Sequence, residues 1–234
     1  METDRSESTA QRLRAMAEYH ARLDESERPL VRALWDAGYE VESCWDFVNG
    51  PTPPDAVPLL LEHLRRPYMY RVKEGIARSL MFKPARPDVM PALVEEFVAL
   101  PGDPQAPGPI DDEVTGRIGY KVLLGQAIGY HATKHDFNML SAFVRDRNHG
   151  EARFGLIRAI VVKNRRLAGD VLMEILGQAD VDAIVINGLA TLRDPRAKAH
   201  VEPLARGKRP PWGPGRDLYD AAKRYLERIG DAST

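Results

Sequence analysis

RVKEGIARSL, residues 71–80, matches EARFGLIRAI, residues 151–160, position by position. Val72 stands with Ala152, Lys73 with Arg153, Gly75 with Gly155, Ile76 with Leu156 and Arg78 with Arg158. On a helical projection Val72, Ile76, Ser79, Leu80 and Lys83 share one side, while Arg71, Glu74 and Arg78 fall opposite. That is the pattern of a helix with one buried face. Gly75 and Gly155 each cost about 1 kcal/mol of helix propensity, and a close helix–helix approach is the expected compensation.

Working outward, the stretch is the second half of a recurring pair. PDAVPLLLEHL, residues 54–64, precedes it with a buried stripe of Val57, Leu60, Leu61 and Leu64, and Pro67 ends that segment. The position of Pro58 recurs at Pro91, Met139, Val171 and Pro203, spaced by 33, 48, 32 and 32 residues. The position of Leu80 recurs at Ile128, Ile160 and Leu192, spaced by 48, 32 and 32. Each of these second-helix markers precedes the next first-helix marker by 11 residues. The long spacing has a visible cause in LPGDPQAPGPIDD, residues 100–112, which carries four prolines and no helical pattern. A second Pro/Gly-rich insertion, GKRPPWGPG, residues 207–215, loosens the fifth unit before a final helix, DLYDAAKRYLERI. A helix pair of this kind has an apolar face too wide to bury alone, and stacking completes a continuous core.

Paired helices every 31–33 residues, a proline near the start of the first helix, and an apolar-plus-basic pair opening the second resemble HEAT-like repeats. Val72-Lys73, Tyr120-Lys121 and Ala152-Arg153 carry the resemblance, which covers about residues 55–230. The fourth unit departs from it, with Ile184-Val185 in place of the basic pair, and the fifth is divergent. The resemblance implies an all-α fold, a right-handed alpha-alpha superhelix of about five antiparallel helix pairs. It also implies that second helices line the concave face.

The remaining chain is expected to close this array. Residues 1–7 read as disordered and 8–50 as an N-terminal helical cap, with the array at 51–234. Within the cap, one helix starts near Ser8, with Ala10, Leu13, Met16 or Ala17, His20 and Leu23 on one face. A second starts near Ser26 with Pro29 in its first turn. A short third, capped by Ser43, carries Trp45, Phe47 and Val48.

Composition excludes several classes. A net charge of −1 lacks the basic excess of a dedicated nucleic-acid binder. The charge is nevertheless uneven: residues 1–140 hold 16 Lys/Arg against 22 Asp/Glu, and 141–234 hold 17 against 12. The single cysteine, Cys44, cannot form an internal disulfide, and it reads as a buried, inert thiol. The polar start METDRSESTA lacks a signal-peptide core, and no apolar run approaches membrane-spanning length. A cytoplasmic protein is the expectation.

Candidate chemistry is sparse. The ladder Lys73, Lys121 and Arg153 borders the core, so its stems should pack while its heads bond a carboxylate or loop carbonyl in the next unit. The row Arg78, Gln126 and Arg158 projects away from the core, towards either a partner or solvent. Arg71, Glu74, Arg165 and Arg166 complete the candidate partner-binding set. His131 and His135 lie four apart, but Asp136 beside them has a helix-capping role, and no metal or other cofactor is expected. No nucleophile motif or phosphate loop appears. Alkylpurine DNA glycosylases resemble this chain in repeat type. Trp35-Asp36 and Trp45-Asp46 supply their residue types, but within the cap, where tryptophans read as core; the basic back half could follow a phosphate backbone. Bilin-lyase relatives share the repeat type too, with no residue here to carry a lyase or chaperone role. The expectation is a non-catalytic scaffold binding a protein partner, with nucleic acid as the alternative.

Overall fold

The computed structural model describes residues 2–101 and 112–230, with side chains at 9–101 and 116–230. All regular structure among the described residues is helical. In order these are α1 (Glu2–Asp36), α2 (Asp46–Asn49), α3 (Val57–Leu64), α4 (Tyr70–Ser79), α5 (Arg86–Ala99) and α6 (Asp112–His131). They are followed by α7 (Phe137–Arg145), α8 (Arg153–Lys163), α9 (Arg165–Ile175), α10 (Asp182–Leu192), α11 (Lys198–Leu204) and α12 (Pro214–Gly230). One turn of 3-10 helix leads into α3, α5, α7 and α11. The insertion at 100–112 lies almost wholly outside the described residues. The chain divides into two compact units, Met1–Ala92 with Gly108–Tyr120, and Leu93–Pro107 with Lys121–Thr234.

In the first unit the expected pair of cap helices is a single helix. α1 continues through Pro29, whose ring is exposed, so the helix loses one backbone hydrogen bond without a buried clash. It also starts at Glu2, inside the stretch read as disordered. Leu30 and Leu34 are fully buried, and α1 packs on α3 and α4; burying each leucine contributes about 2 kcal/mol. Further toward the N-terminus α1 outruns its neighbours, and Leu13 and Met16, expected on a packed face, are exposed.

The loop after α1 is fixed by polar contacts. The buried Glu27 carboxylate accepts from the Cys44 backbone N–H at 2.7 Å and from Ser43 Oγ at 2.8 Å. Ser79 Oγ donates to the Cys44 carbonyl at 3.1 Å, and Thr52 Oγ1 donates to the Ser79 carbonyl at 2.7 Å. Lys83, placed on the buried side by the helical projection, is exposed, because α4 stops at Ser79.

In the second unit the helices pack in sequence-adjacent pairs. α7 lies on α8, α9 on α10 and α11 on α12, while α8, α10 and α12 touch in series and α7 touches α9. Leu156, Ile157, Ile160, Val185, Ile186, Leu189 and Tyr225 form the common core. α6 joins α8 through glycines. A Cβ on Gly155 would lie 2.5 Å from Gln126 Cα, and one on Gly129 would lie 2.7 Å from the Gly155 carbonyl oxygen. A Cβ on Gly125 would lie 2.0 Å from the Ala152 carbonyl oxygen. The close approach expected of Gly155 is therefore present. Gly75 differs: its missing side chain makes room for Cys44 Sγ and the Trp45 ring rather than for a helix.

Candidate functional site

The basic ladder is spent inside the protein. Arg153 is fully buried; its guanidinium donates to the carbonyls of Gly150 and Val144 at 3.1 and 3.0 Å and to Gln178 Oε1 at 2.7 Å. It also pairs with Asp180 in the turn before α10. Lys121 is buried, and its Nζ donates to the carbonyls of Leu100 and Pro101 at 2.7 and 3.1 Å, just past the end of α5. A cation there meets the helix carbonyls and the negative end of their dipole. Lys73, half-buried, places its Nζ 5.6 Å from the centre of the Tyr120 ring.

In the first unit Arg71, Glu74 and Arg78 gather beside Trp45. The Arg71 guanidinium carbon stands 3.8 Å from the Trp45 ring centre and that of Arg78 stands 6.0 Å away. Arg71 also donates to Glu74 Oε2 at 3.0 Å. A half-buried indole beneath two guanidinium groups gains cation–π attraction of about 0.5–1 kcal/mol per close contact. The reading of cap tryptophans as core is corrected here. Trp35 is 54% exposed, with its indole N–H held by the Val41 carbonyl at 2.7 Å, and Trp45 is half-buried. The loop that carries Trp45 lays its ring against Gly75 of α4 at the edge of the core, whereas Trp35 stands at the end of α1.

In the second unit Gln126 and Arg158 are exposed on α6 and α8, each with buried neighbours on both sides in sequence. Arg165 and Arg166 open α9, both exposed. Arg165 Nη2 donates to the Thr191 carbonyl at 2.9 Å. Sequence reasoning missed what meets it there. Arg228 Nη1 donates to Thr191 Oγ1 at 3.2 Å, and Arg224 Nε donates to Asn187 Oδ1 at 3.2 Å. Asn187 and Thr191 are one turn apart on α10, and Arg224 and Arg228 one turn apart on α12. Three guanidinium groups from two helices thus rest on one backbone carbonyl and two neutral side chains of a third. The i,i+4 arginine pair in AAKRYLER was the available signal, obscured because the insertion before it hides the final helix's place in the stack.

Cys44 is fully buried and His149 half-buried. Burial and the neighbouring Glu27 push the Cys44 thiol up, well out of the range of a nucleophile. The His149 imidazole sits 4.5 Å from the Phe97 ring and 5.6 Å from that of Phe143, and burial lowers its pKa, with Lys121 acting in the same sense. His131 is buried at the end of α6, whereas His135 is exposed. Asp136 forms a capping box with Thr133, accepting the Thr133 backbone N–H at 2.7 Å. Among the described residues no three His, Cys, Asp or Glu side chains are grouped to hold a metal, and no helix is long and apolar enough to cross a membrane. A shallow groove of about 470 Å³ in the first unit is walled by Pro54, Pro58, Leu61, Phe82 and Pro84, with Asp88 its one ionisable residue.

Comparison with protein-family models, curated proteins and solved structures finds no significant match.

Proposed function

We propose that the protein is a non-catalytic helical-repeat scaffold of HEAT-like type that binds a protein partner through the exposed positions of its second helices. The observation that carries this reading is the division of labour among the basic residues. Arg153 and Lys121 are consumed by loop carbonyls and a carboxylate, whereas Arg158 and Gln126, on the same two helices, are left at the surface. Arg71, Glu74 and Arg78 present a comparable surface in the first unit. Such a face offers fixed, separated polar groups and no paired acid, base or nucleophile, which is the equipment of recognition rather than turnover.

The test is an affinity capture with the intact protein beside one carrying Arg78→Glu and Arg158→Glu, with duplex DNA titrated across a salt series. The reading expects one or more proteins held by the native chain and released by the charge reversals, with folding unchanged by circular dichroism. Steeply salt-dependent DNA binding without a protein partner would replace it with the nucleic-acid alternative.

A further inference from the structure

We infer that Arg165, Arg224 and Arg228 form a binding site for a phosphate monoester, presented as a phosphorylated side chain of the partner protein. This rests on the scaffold reading above and names the chemistry that one of its surfaces takes.

The first support is the choice of partners. Other well-held arginines of the second unit have carboxylates of their own. Arg196 is bonded to Asp194 and Asp170, Arg209 to Asp220, and Arg145 to Glu174. The three in question bond only neutral oxygens among the described residues: the Thr191 carbonyl, the Thr191 hydroxyl and the Asn187 amide. Carboxylates are not lacking in the neighbourhood. Tyr225 Oη donates to the Asp194 carbonyl at 2.6 Å, so Asp194 lies against the same helix as Arg224 and Arg228, yet its carboxylate is turned to Arg196. Asp220, one turn before Arg224, gives its hydrogen bonds to Arg209 and feels the charges of Arg216 and Arg224 without bonding the latter, and the exposed Glu227 makes no ion pair with the described residues.

The second support is orientation. An exposed arginine ordinarily loses much of its rotamer freedom when it binds. Here each guanidinium is already tethered by one donor, which leaves the others of its five N–H groups available. Arg165 and Arg228 are tethered to two oxygens of a single residue, Thr191, so their charges converge instead of spreading along a helix.

The third is charge and shape. Two cations tethered to Thr191, with a third one turn away on Asn187, favour a ligand with close to two negative charges and three acceptor oxygens on one centre, which describes a phosphate monoester near neutral pH. A carboxylate offers one charge and two oxygens. A nucleic-acid backbone carries single charges spaced along a line and favours a track of cations; the arginines that would extend this cluster, Arg196 and Arg209, are neutralised by their own aspartates.

The experiment follows the arginine side-chain Nε–H signals by NMR while phenyl phosphate, benzoate, a Gly/Ser decapeptide with one central phosphoserine, its unphosphorylated form, and a DNA duplex are titrated separately. The proposal expects saturable shifts at Arg165, Arg224 and Arg228 with phenyl phosphate and the phosphopeptide, and at least tenfold weaker response to benzoate and the unphosphorylated peptide. Arg165→Gln with Arg224→Gln and Arg228→Gln should abolish them, with the thermal midpoint unchanged. Thr191→Val, which keeps all three charges, should weaken phosphopeptide binding several-fold. Equal response to benzoate, binding of the duplex alone, or a triple variant that binds as well as the native chain would overturn the site. Phenyl phosphate binding without phosphopeptide binding would overturn its assignment to a protein partner. Loss of the site with charge-reversible partner capture intact leaves the scaffold reading standing.

Discussion

Arg153 shows how one buried cation can fasten a turn to a helix. Its side chain has no exposure, whereas Asp180 keeps 39% of its own, so the carboxylate can return to water and the carbonyls of Val144 and Gly150 cannot. Replacing it with methionine, Arg153→Met, preserves the stem and strands those acceptors. The expected loss is about 2–3 kcal/mol in urea denaturation, and a loss near zero would show that the guanidinium is not spent on this turn. His149 works in the opposite sense. Burial against Phe97 and Phe143, reinforced by Lys121 and Arg153, favours its neutral form, and Asp146 only partly offsets them. A folded-state pKa below the unfolded value of about 6.5 gives a stability contribution that is complete above that value. It is lost as pH falls through the lower, folded value. His63 is shifted in the same direction, chiefly by burial and by Arg66. The thermal midpoint should therefore drop as pH is lowered from about 7.5 to 5, and His149→Gln should flatten part of that slope while His63 retains the rest.

Among the helices, α6 and α8 carry the clearest structural argument. Their contact is made by backbone atoms, with Gly125 and Gly129 facing Ala152 and Gly155, so there is no side chain to yield. Alanine is the better helix former by about 1 kcal/mol, but Gly155→Ala would set its methyl against the backbone of Gln126. We expect a net destabilisation of about 3 kcal/mol, read from denaturant midpoints; a stabilised variant would mean that the helices are not in contact. Sequence made half of this legible: close helix approach was expected at both matching glycines, and Gly155 meets α6 while Gly75 makes room for Cys44 and Trp45 instead. The continuity of α1 was not legible. Pro29 reads as a start signal by local rules, and only the buried contacts of Leu30 and Leu34 and the exposed setting of the ring explain why the helix runs through it. The exposure of Leu13 and Met16 was equally hidden, since periodicity reports a face without saying whether anything lies against it.

For the whole chain, the all-helical character and the recurring pairs were written in spacing: a 32-residue phase kept by two markers leaves little freedom. The role of the basic ladder could be read in part: Arg153 meets Gln178 and Asp180 of the next unit as expected, whereas Lys121 reaches back to the carbonyls after α5 and Lys73 stands over the Tyr120 ring. The arginine cluster could not. Arg165 lies some sixty residues from Arg224 and Arg228, and the insertion at 207–215 breaks the phase that would have aligned α12 with the earlier second helices. What brings them together is tertiary packing of α9, α10 and α12, which no local pattern encodes.

The placement of the tryptophans has an optical consequence. Trp45 lies under Arg71 and Arg78, Trp35 is tied by its indole N–H at the end of α1, and Trp212 is 80% exposed in the second unit. The three indoles therefore emit from three graded environments, one of them covered by the same cations proposed to meet a partner. A ligand that draws Arg71 off its ring alters the light leaving Trp45 directly, and the protein needs no attached dye to report the event.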